Sequence, residues 1–306
     1  HEGSERPPRE HHAYLETVGE LRALFDRMVV NHKPETSGSG HVSQQPGPAA
    51  AGYGAERWKQ PALRTAQMLA AAMVVTLAWA GLATLLAKPF LPAPAAVYVR
   101  LAQALRQGTL TGHVLISLKR VLLSLLAAGV PAWALGLLAG RIPALDHFLS
   151  PLLYLFHPLP KVAFLPLLML FLGLGDASKI ALMGLVIFGQ LFVSARDAAK
   201  RIAPVMLDSV RTLGGGSLGT LRWVILPSTL PELFSALRVS LGTSIAVLFL
   251  SETFASVNGL GWYIMDAWSR IDYPDMYASI VALSLFGLVL YLLLDLLETA
   301  VIRWRA

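Results

Sequence analysis

An all-α membrane protein of about six spanning helices is the fold class this sequence predicts, and three observations lead to it. Apolar residues make up 55% of the 306 residues and charged residues only 14%, against roughly 25% charged in an average soluble domain. The charges are also bunched, leaving several stretches of the ~20 apolar residues that a helix needs to cross a bilayer. The third observation is the net charge of +6. In so apolar a chain it fits the retention of Lys and Arg on the cytoplasmic side of a membrane, and no nucleic-acid partner is expected. With no cysteine in the chain, disulfides, Cys-ligated zinc and Cys nucleophiles are excluded.

The elements follow in order. Residues 1–33 form a polar extension without a visible signal peptide. Within it, Tyr14, Leu15, Val18, Leu21, Leu24, Phe25, Met28 and Val29 recur at helical spacing and predict an amphipathic helix over Ala13–Val30. That helix would dock on a partner, on the membrane surface or on its own subunit. Residues 34–57, rich in Pro, Gly and Ser, read as a flexible linker, and residues 58–306 as the membrane domain. Span one is expected over Leu63–Ala87. The run Pro89-Phe90-Leu91-Pro92-Ala93-Pro94 ends it, and Ala95–Gln107 forms a short surface helix. Span two is expected over Val114–Ala139. Span three lies within Leu149–Leu172, interrupted by Pro158, Pro160 and Pro166, and span four covers Ile180–Val193. A basic polar stretch, Ser194–Glu232, precedes span five (Leu233–Phe254) and span six (Ala278–Val301).

Orientation follows from the basic residues of the connecting segments. With the N-terminus inside, the outside segments keep only Lys88, Arg100, Arg106, Lys179 and Arg270, and the many remaining loop Lys and Arg lie inside. Both termini and the Ser194–Glu232 segment are therefore expected in the cytoplasm. Lys119, Arg120 and Lys161 fall within expected spans.

A cytoplasmic insertion of this length needs a purpose. Ala203–Leu213 predicts one short helix, Gly214-Gly215-Gly216 a turn, and Leu218–Leu226 a second helix, with Pro227 and Pro231 setting the start of span five. Ionisable groups in lipid are costly and often mark a pathway or a partner. Glu252, near the end of span five, reads equally as a pathway gate or as a structural hydrogen-bond acceptor for the neighbouring loop. Lys161, among prolines, is expected to line the route, and Gln190, Thr243, Ser244 and Ser251 to join it unless they bond to helix carbonyls. Lys119 and Arg120 are expected to snorkel to the interface, and Asp295 and Glu298 to be structural. His113 and His157 stand alone, without metal-ligand spacing.

The insertion also carries a resemblance. Asp208-Ser209-Val210-Arg211-Thr212-Leu213-Gly214, nine residues, then Val224-Ile225-Leu226-Pro227 is similar to the loop of binding-protein-dependent ABC importer permeases. Their pattern reads Glu-Ala-Ala, three residues, Gly, nine residues, Ile, any residue, Leu-Pro. Valine at 210 in place of alanine is at odds with close packing there. Other segments resemble the nitrate/sulfonate/taurine-type branch. They are Leu91-Pro92-Ala93-Pro94, His113 with Ser117-Leu118-Lys119-Arg120-Val121, Pro158-Leu159-Pro160-Lys161, Leu172-Gly173-Leu174-Gly175-Asp176, and Ser251-Glu252-Thr253-Phe254 with Gly259-Leu260-Gly261. The resemblance covers residues 63–302. It implies a type I ABC importer permease fold with a cytoplasmic helix–turn–helix coupling loop in the bacterial inner membrane. It implies a homodimer of permeases, a dimer of ABC ATPase subunits carrying ATP and Mg, and a periplasmic substrate-binding protein. The coupling residues would be Asp208, Ser209, Val210, Arg211, Gly214, Gly215, Leu226 and Pro227. No Gly-x-x-x-x-Gly-Lys-Ser/Thr loop occurs, so no nucleotide site of its own and no directly bound cofactor is expected. Substrate remains open by this route, a small anion or organic compound being the inference. A secondary transporter or channel is the alternative, disfavoured by the missing inverted repeat and the large insertion. A membrane-embedded enzyme finds no catalytic constellation in the spans.

Overall fold

The computed structural model describes residues 61–156, 158–212, 214, 216–254 and 256–302. The expected Ala13–Val30 helix and the 34–57 linker lie outside the described residues. Among the described residues all regular structure is helical: α1 (Pro61–Leu86), α2 (Pro94–Arg106), α3 (Thr109–Arg141), α4 (Pro143–Phe156), α5 (Lys161–Leu172), α6 (Asp176–Lys200), α7 (Pro204–Thr212), α8 (Ser217–Thr253), α9 (Leu260–Ser269) and α10 (Tyr273–Val301). Five of them, α1, α3, α6, α8 and α10, are long and apolar enough to cross a membrane. A sixth crossing arises if α4 and α5, bent by 87° at their break, count as one span. Pro158 and Pro160 explain that break, because proline removes the backbone donor and biases the residue before it towards extended conformations.

Helix α6 is the centre of the bundle. Its Leu182, Met183, Ile187, Leu191 and Phe192 are buried, and they share one core with Val121 of α3, Leu248 of α8 and Phe286 of α10. At the α3–α6 seam two helices approach closely. Gly136 and Gly140, one turn apart on α3, bring the backbones so near that a Cβ at Gly136 would stand 2.6 Å from the Phe192 carbonyl oxygen. One at Gly140 would stand 2.5 Å from the Arg196 carbonyl oxygen. Small residues at such a seam let dispersion replace the missing hydrophobic drive between helices in lipid. The same seam explains why α6 continues beyond Val193, where the sequence suggested its end. Ala195, Ala198 and Ala199 are buried, and the polar residues of this last stretch find ionic partners. Lys200 Nζ lies 2.6 Å from Asp146 on α4, and Arg196 donates to Ser150 Oγ at 2.6 Å.

Two of the long helices contain a wide π-turn ahead of a proline. Leu125–Gly129 precedes Pro131 in α3, and Leu221–Ile225 precedes Pro227 in α8. A widened turn relieves the clash between the proline ring and the carbonyl one turn earlier. This corrects the expectation of a separate helix over Leu218–Leu226. The second arm of the insertion is continuous with span five through both Pro227 and Pro231. At the other flank of the bundle, α1 is held by aromatic contacts. Trp79 stacks on Tyr277 of α10 at 5.6 Å and meets Tyr98 of α2 edge-on at 6.4 Å.

The seam makes a stability prediction. Gly140→Val must push two backbones apart, so unfolding of the purified protein in lipid nanodiscs should occur at a lower temperature, by an overpacking cost of about 1–3 kcal/mol. Gly81→Val on α1, where a Cβ meets nothing within 4 Å, should leave the midpoint close to that of the parent.

Candidate functional site

Three places collect the polar chemistry. The first lies at the end of the bundle shared by α2, α9 and residues 254–259. Here the guanidinium of Arg120, on α3 and only 2% exposed, joins three other segments. Nη1 donates to Glu252 Oε1 at 2.7 Å and to the Asn258 carbonyl at 3.1 Å. Nη2 donates to Asp176 Oδ1 and Asn258 Oδ1, both at 2.8 Å, and Nε reaches Asp176 Oδ1 at 2.9 Å. Glu252 is fully buried. It accepts from Ser117 Oγ at 2.8 Å and from the Gly261 N–H at 2.8 Å. Gly259 (φ 109°) and Gly261 allow this approach, since a Cβ at Gly259 would stand 2.3 Å from the Glu252 carboxyl carbon. Fork-shaped Arg geometry suits such multiple acceptance.

The cluster continues outward. The Gly259 N–H donates to His113 Nδ1 at 3.1 Å, and that ring stacks on Trp262 and Tyr263. Tyr263 donates to Asp275, which Arg100 Nε also reaches at 3.2 Å. Burial, reinforced by the Asp275 charge, pushes the Tyr263 phenol up, so it remains a donor. Arg120 therefore does not snorkel: its charge partners are protein groups, and only Lys119, paired with Asp176 at 3.0 Å, is exposed. Lys179, expected in a connecting segment, is instead buried in the first turn of α6 and donates to the Leu174 and Gly175 carbonyls. Glu252 accepts from the Gly261 N–H of the neighbouring loop, the contact that its structural reading expected. Sequence reasoning missed Ser117, Arg120, Asp176 and Asn258 as a set. The available signal was a polar stripe, His113, Ser117, Arg120 and Ser124, at three- and four-residue spacing on one face of α3.

The second place is the opposite end, where α7 and the start of α8 form a small knob. Its own core comprises Leu137, Ala195, Ala199, Ile202, Leu207, Val224 and Ile225. The knob is thus built directly on the α3–α6 seam. Asp208 and Ser209 are exposed, whereas Val210 is half-buried and turned to this core, with Leu226 beside it. Val210 Cγ1 faces Gly219, where even an added Cβ would stand at an ordinary contact distance of 4.0 Å, so the valine is accommodated without crowding. Gly214 carries φ 80° at the reversal, in open space, and Pro227 sits in the first turn after the π-turn. The backbone of Arg211 closes α7, and Gly215 lies outside the described residues. Val205, Met206, Leu218 and Trp223 turn outward from the knob, Leu218 82% exposed.

The third place is a groove of about 450 Å³ between the α4–α5 break and α6. Lys161 and Gln190 both line it, and Thr243 of α8 donates to Gln190 Oε1 at 3.2 Å. Three of the six expected route residues therefore meet here. The other three do not. Ser244, Ser251 and Glu252 are fully buried. Ser251 bonds back to the Leu248 carbonyl at 2.9 Å, and Ser244 Oγ is buried with no hydrogen-bond partner among the described residues. Midway along α8, Arg238 is clasped by Asp295 and Glu298 of α10.

Residues 132–305 match a family described as "Binding-protein-dependent transport system inner membrane component". The chain is 32% identical to the taurine transport system permease protein of Escherichia coli over 257 residues, covering 81% of this chain and 94% of that one. It is 32% identical to the riboflavin transport system permease protein of Chloroflexus aurantiacus, covering 82% and 93%. It is 28% identical to a putative aliphatic sulfonates transport permease protein of Bacillus subtilis, covering 70% and 78%.

The Arg120 cluster yields the second prediction. Arg120→Met leaves Glu252 and Asp176 without their shared counter-charge, and losing one member of a buried ion pair costs about 3–5 kcal/mol. The variant should unfold well below the parent in a thermal scan. Arg120→Met combined with Glu252→Leu should recover part of that loss, giving a non-additive double-mutant cycle.

Proposed function

Because the chain belongs to the family of binding-protein-dependent transport system inner membrane components, we propose that it is the permease subunit of an ATP-driven ABC importer whose α7–α8 knob is the contact for a separate ATPase. The observation that carries this reading is the knob's construction. Its small core shares Leu137, Ala195 and Ala199 with the α3–α6 seam, so a load on the knob reaches two spans through packed side chains. Its outward apolar residues Val205, Met206, Leu218 and Trp223 would be costly in water and suit a groove on a partner. Two ATPase subunits, carrying ATP and Mg, would engage two permease copies, and a periplasmic binding protein would deliver the solute at the Arg120 end. The relatives are named for taurine, aliphatic sulfonates and riboflavin, which favours a small organic solute.

In this reading both termini and the knob would lie in the cytoplasm, and the protein in a bacterial inner membrane. The chain has no native cysteine, so single additions report cleanly. Ser217→Cys, at the exposed start of α8, should resist an impermeant thiol reagent in intact cells, and Val257→Cys, 79% exposed, should react. Labelling of the first from outside would invert the topology.

Coupling is tested at the reversal. Gly214 has φ 80° with nothing within 4 Å of its would-be Cβ, whereas Gly216 lacks positive φ and is equally open. Gly214→Val therefore adds a backbone penalty of roughly 1–2 kcal/mol without a clash, and Gly216→Val controls for bulk. With both variants inserted normally, Gly214→Val should strongly reduce transport and uncouple ATP hydrolysis from binding protein and solute. Gly216→Val should transport near the parent level. Equal transport by the two would remove the knob from the coupling role.

A further inference from the structure

A crevice of about 300 Å³ runs between α3 and α10 and shares no lining residue with the groove at the α4–α5 break. Its α3 wall is a single stripe, Leu110, Val114 and Leu118, that descends from the first turn of the helix. Its α10 wall runs from Ala282 to Leu293, a rise of about 17 Å at ~1.5 Å per residue. Leu105 of α2 joins the lining at the end of the bundle that carries the Arg120 cluster. All the described lining residues are apolar. The crevice is open to the side, since Val289, which lines it, is 53% exposed. Directly after Leu105 comes Arg106, the last residue of α2. Its side chain is exposed, with no hydrogen-bond or ion-pair partner among the described residues.

We propose that this crevice holds one acyl chain of an anionic phospholipid, with the lipid phosphate on Arg106. Width selects the chain. A volume of about 300 Å³ over that length leaves a cross-section of roughly 18 Å². That is the girth of one extended hydrocarbon chain, whereas a helix of a second copy, ~10–12 Å across, is far too wide. A polar solute is disfavoured as well, because such sites need a few placed polar groups and this lining has none. Burial of the chain gains no hydrophobic drive, since the chain is equally apolar in the bilayer. Retention comes instead from dispersion against walls on α2, α3 and α10. Selectivity comes from the rim, where Arg106 gains a charge-assisted contact with the phosphate. In a zwitterionic lipid the ammonium of the headgroup offsets that phosphate, so an anionic headgroup is favoured.

Native mass spectrometry of the purified full-length chain, delipidated in detergent, tests the assignment. The probes are dipalmitoyl phosphatidylglycerol, dipalmitoyl phosphatidylcholine and free glycerol 3-phosphate. One phosphatidylglycerol per chain should bind at least tenfold more tightly than phosphatidylcholine and survive collision energies that strip it. Glycerol 3-phosphate should not displace the lipid. Arg106→Gln should lower retention of phosphatidylglycerol to the level of phosphatidylcholine, and Lys88→Gln, an exposed lysine elsewhere, should change nothing. Val289→Trp fills the crevice from its exposed rim, so it should abolish the one-per-chain retention while the thermal midpoint is kept. No preference for phosphatidylglycerol, displacement by glycerol 3-phosphate, or retention unchanged in Arg106→Gln or Val289→Trp would overturn the assignment. So would a dimer that carries no lipid where the single chain carries one, which would give the crevice to the second copy. The measurement needs neither ATPase nor transport, and the Gly214→Val and Gly216→Val pair judges the coupling reading separately.

Discussion

The buried guanidinium of Arg120 is the constraint on which much of the rest depends. A charged group inside a membrane bundle needs its partners in the protein, because neither lipid nor bulk water can supply them. Arg120 draws them from Glu252 at the end of α8, Asp176 at the start of α6 and Asn258 between α8 and α9. Three chain segments far apart in sequence are thereby fixed to one point on α3. The glycines of the 259–261 turn follow from that constraint. The carboxylate of Glu252 occupies the space a side chain at 259 would need, so the turn exists in the form that the ion pair permits. Ser117 and His113, one and two turns along the same face of α3, then receive the N–H groups of Leu260 and Gly259.

The opposite end is organised by packing rather than by charge. At Gly136 and Gly140 the α3 and α6 backbones nearly touch, and the knob of α7 and early α8 is seated on the same residues. Close contact leaves little slack between knob and spans, which is what a mechanical connection requires. The π-turn at Leu221–Ile225 contributes to this. By carrying α8 through Pro227 and Pro231 without a break, it makes the second arm of the knob and span five one body.

How far the sequence alone could be read follows from the range of each interaction. The positions of the spans, the break at Pro158–Pro160 and the Pro94–Arg106 surface helix were legible, because hydropathy and proline act over a few residues. The knob's turn at Gly214 was legible for the same reason. The continuity of α8 was not, since the rule that prolines end or begin helices has no term for a π-turn that absorbs them. Arg120 was misread because its partners lie 56 and 132 residues away, and an arginine one turn from an interface looks the same whether it snorkels or is paired. Among the expected route residues, Lys161 and Gln190 converge while Ser244 and Ser251 turn inward. Small hydroxyls in a helix carry no signal for which face they occupy.

Helix α6 unites these features. Its first turn holds Asp176 and Lys179 in the charged cluster, its middle lines the groove with Phe188 and Gln190, and its last turns press on α3 and hold α4 through Arg196 and Lys200. The two halves of the bent pair are not held alike. Helix α4 is tied ionically to the end of α6 nearest the knob, whereas α5 meets α6 through apolar side chains such as Leu165 and Leu168. A displacement of the knob would therefore be passed to α4 more directly than to α5, and the two meet at the proline break beside Lys161. The groove lies between helix α6, whose seam with α3 cannot open without unpacking glycines, and a helix pair already interrupted.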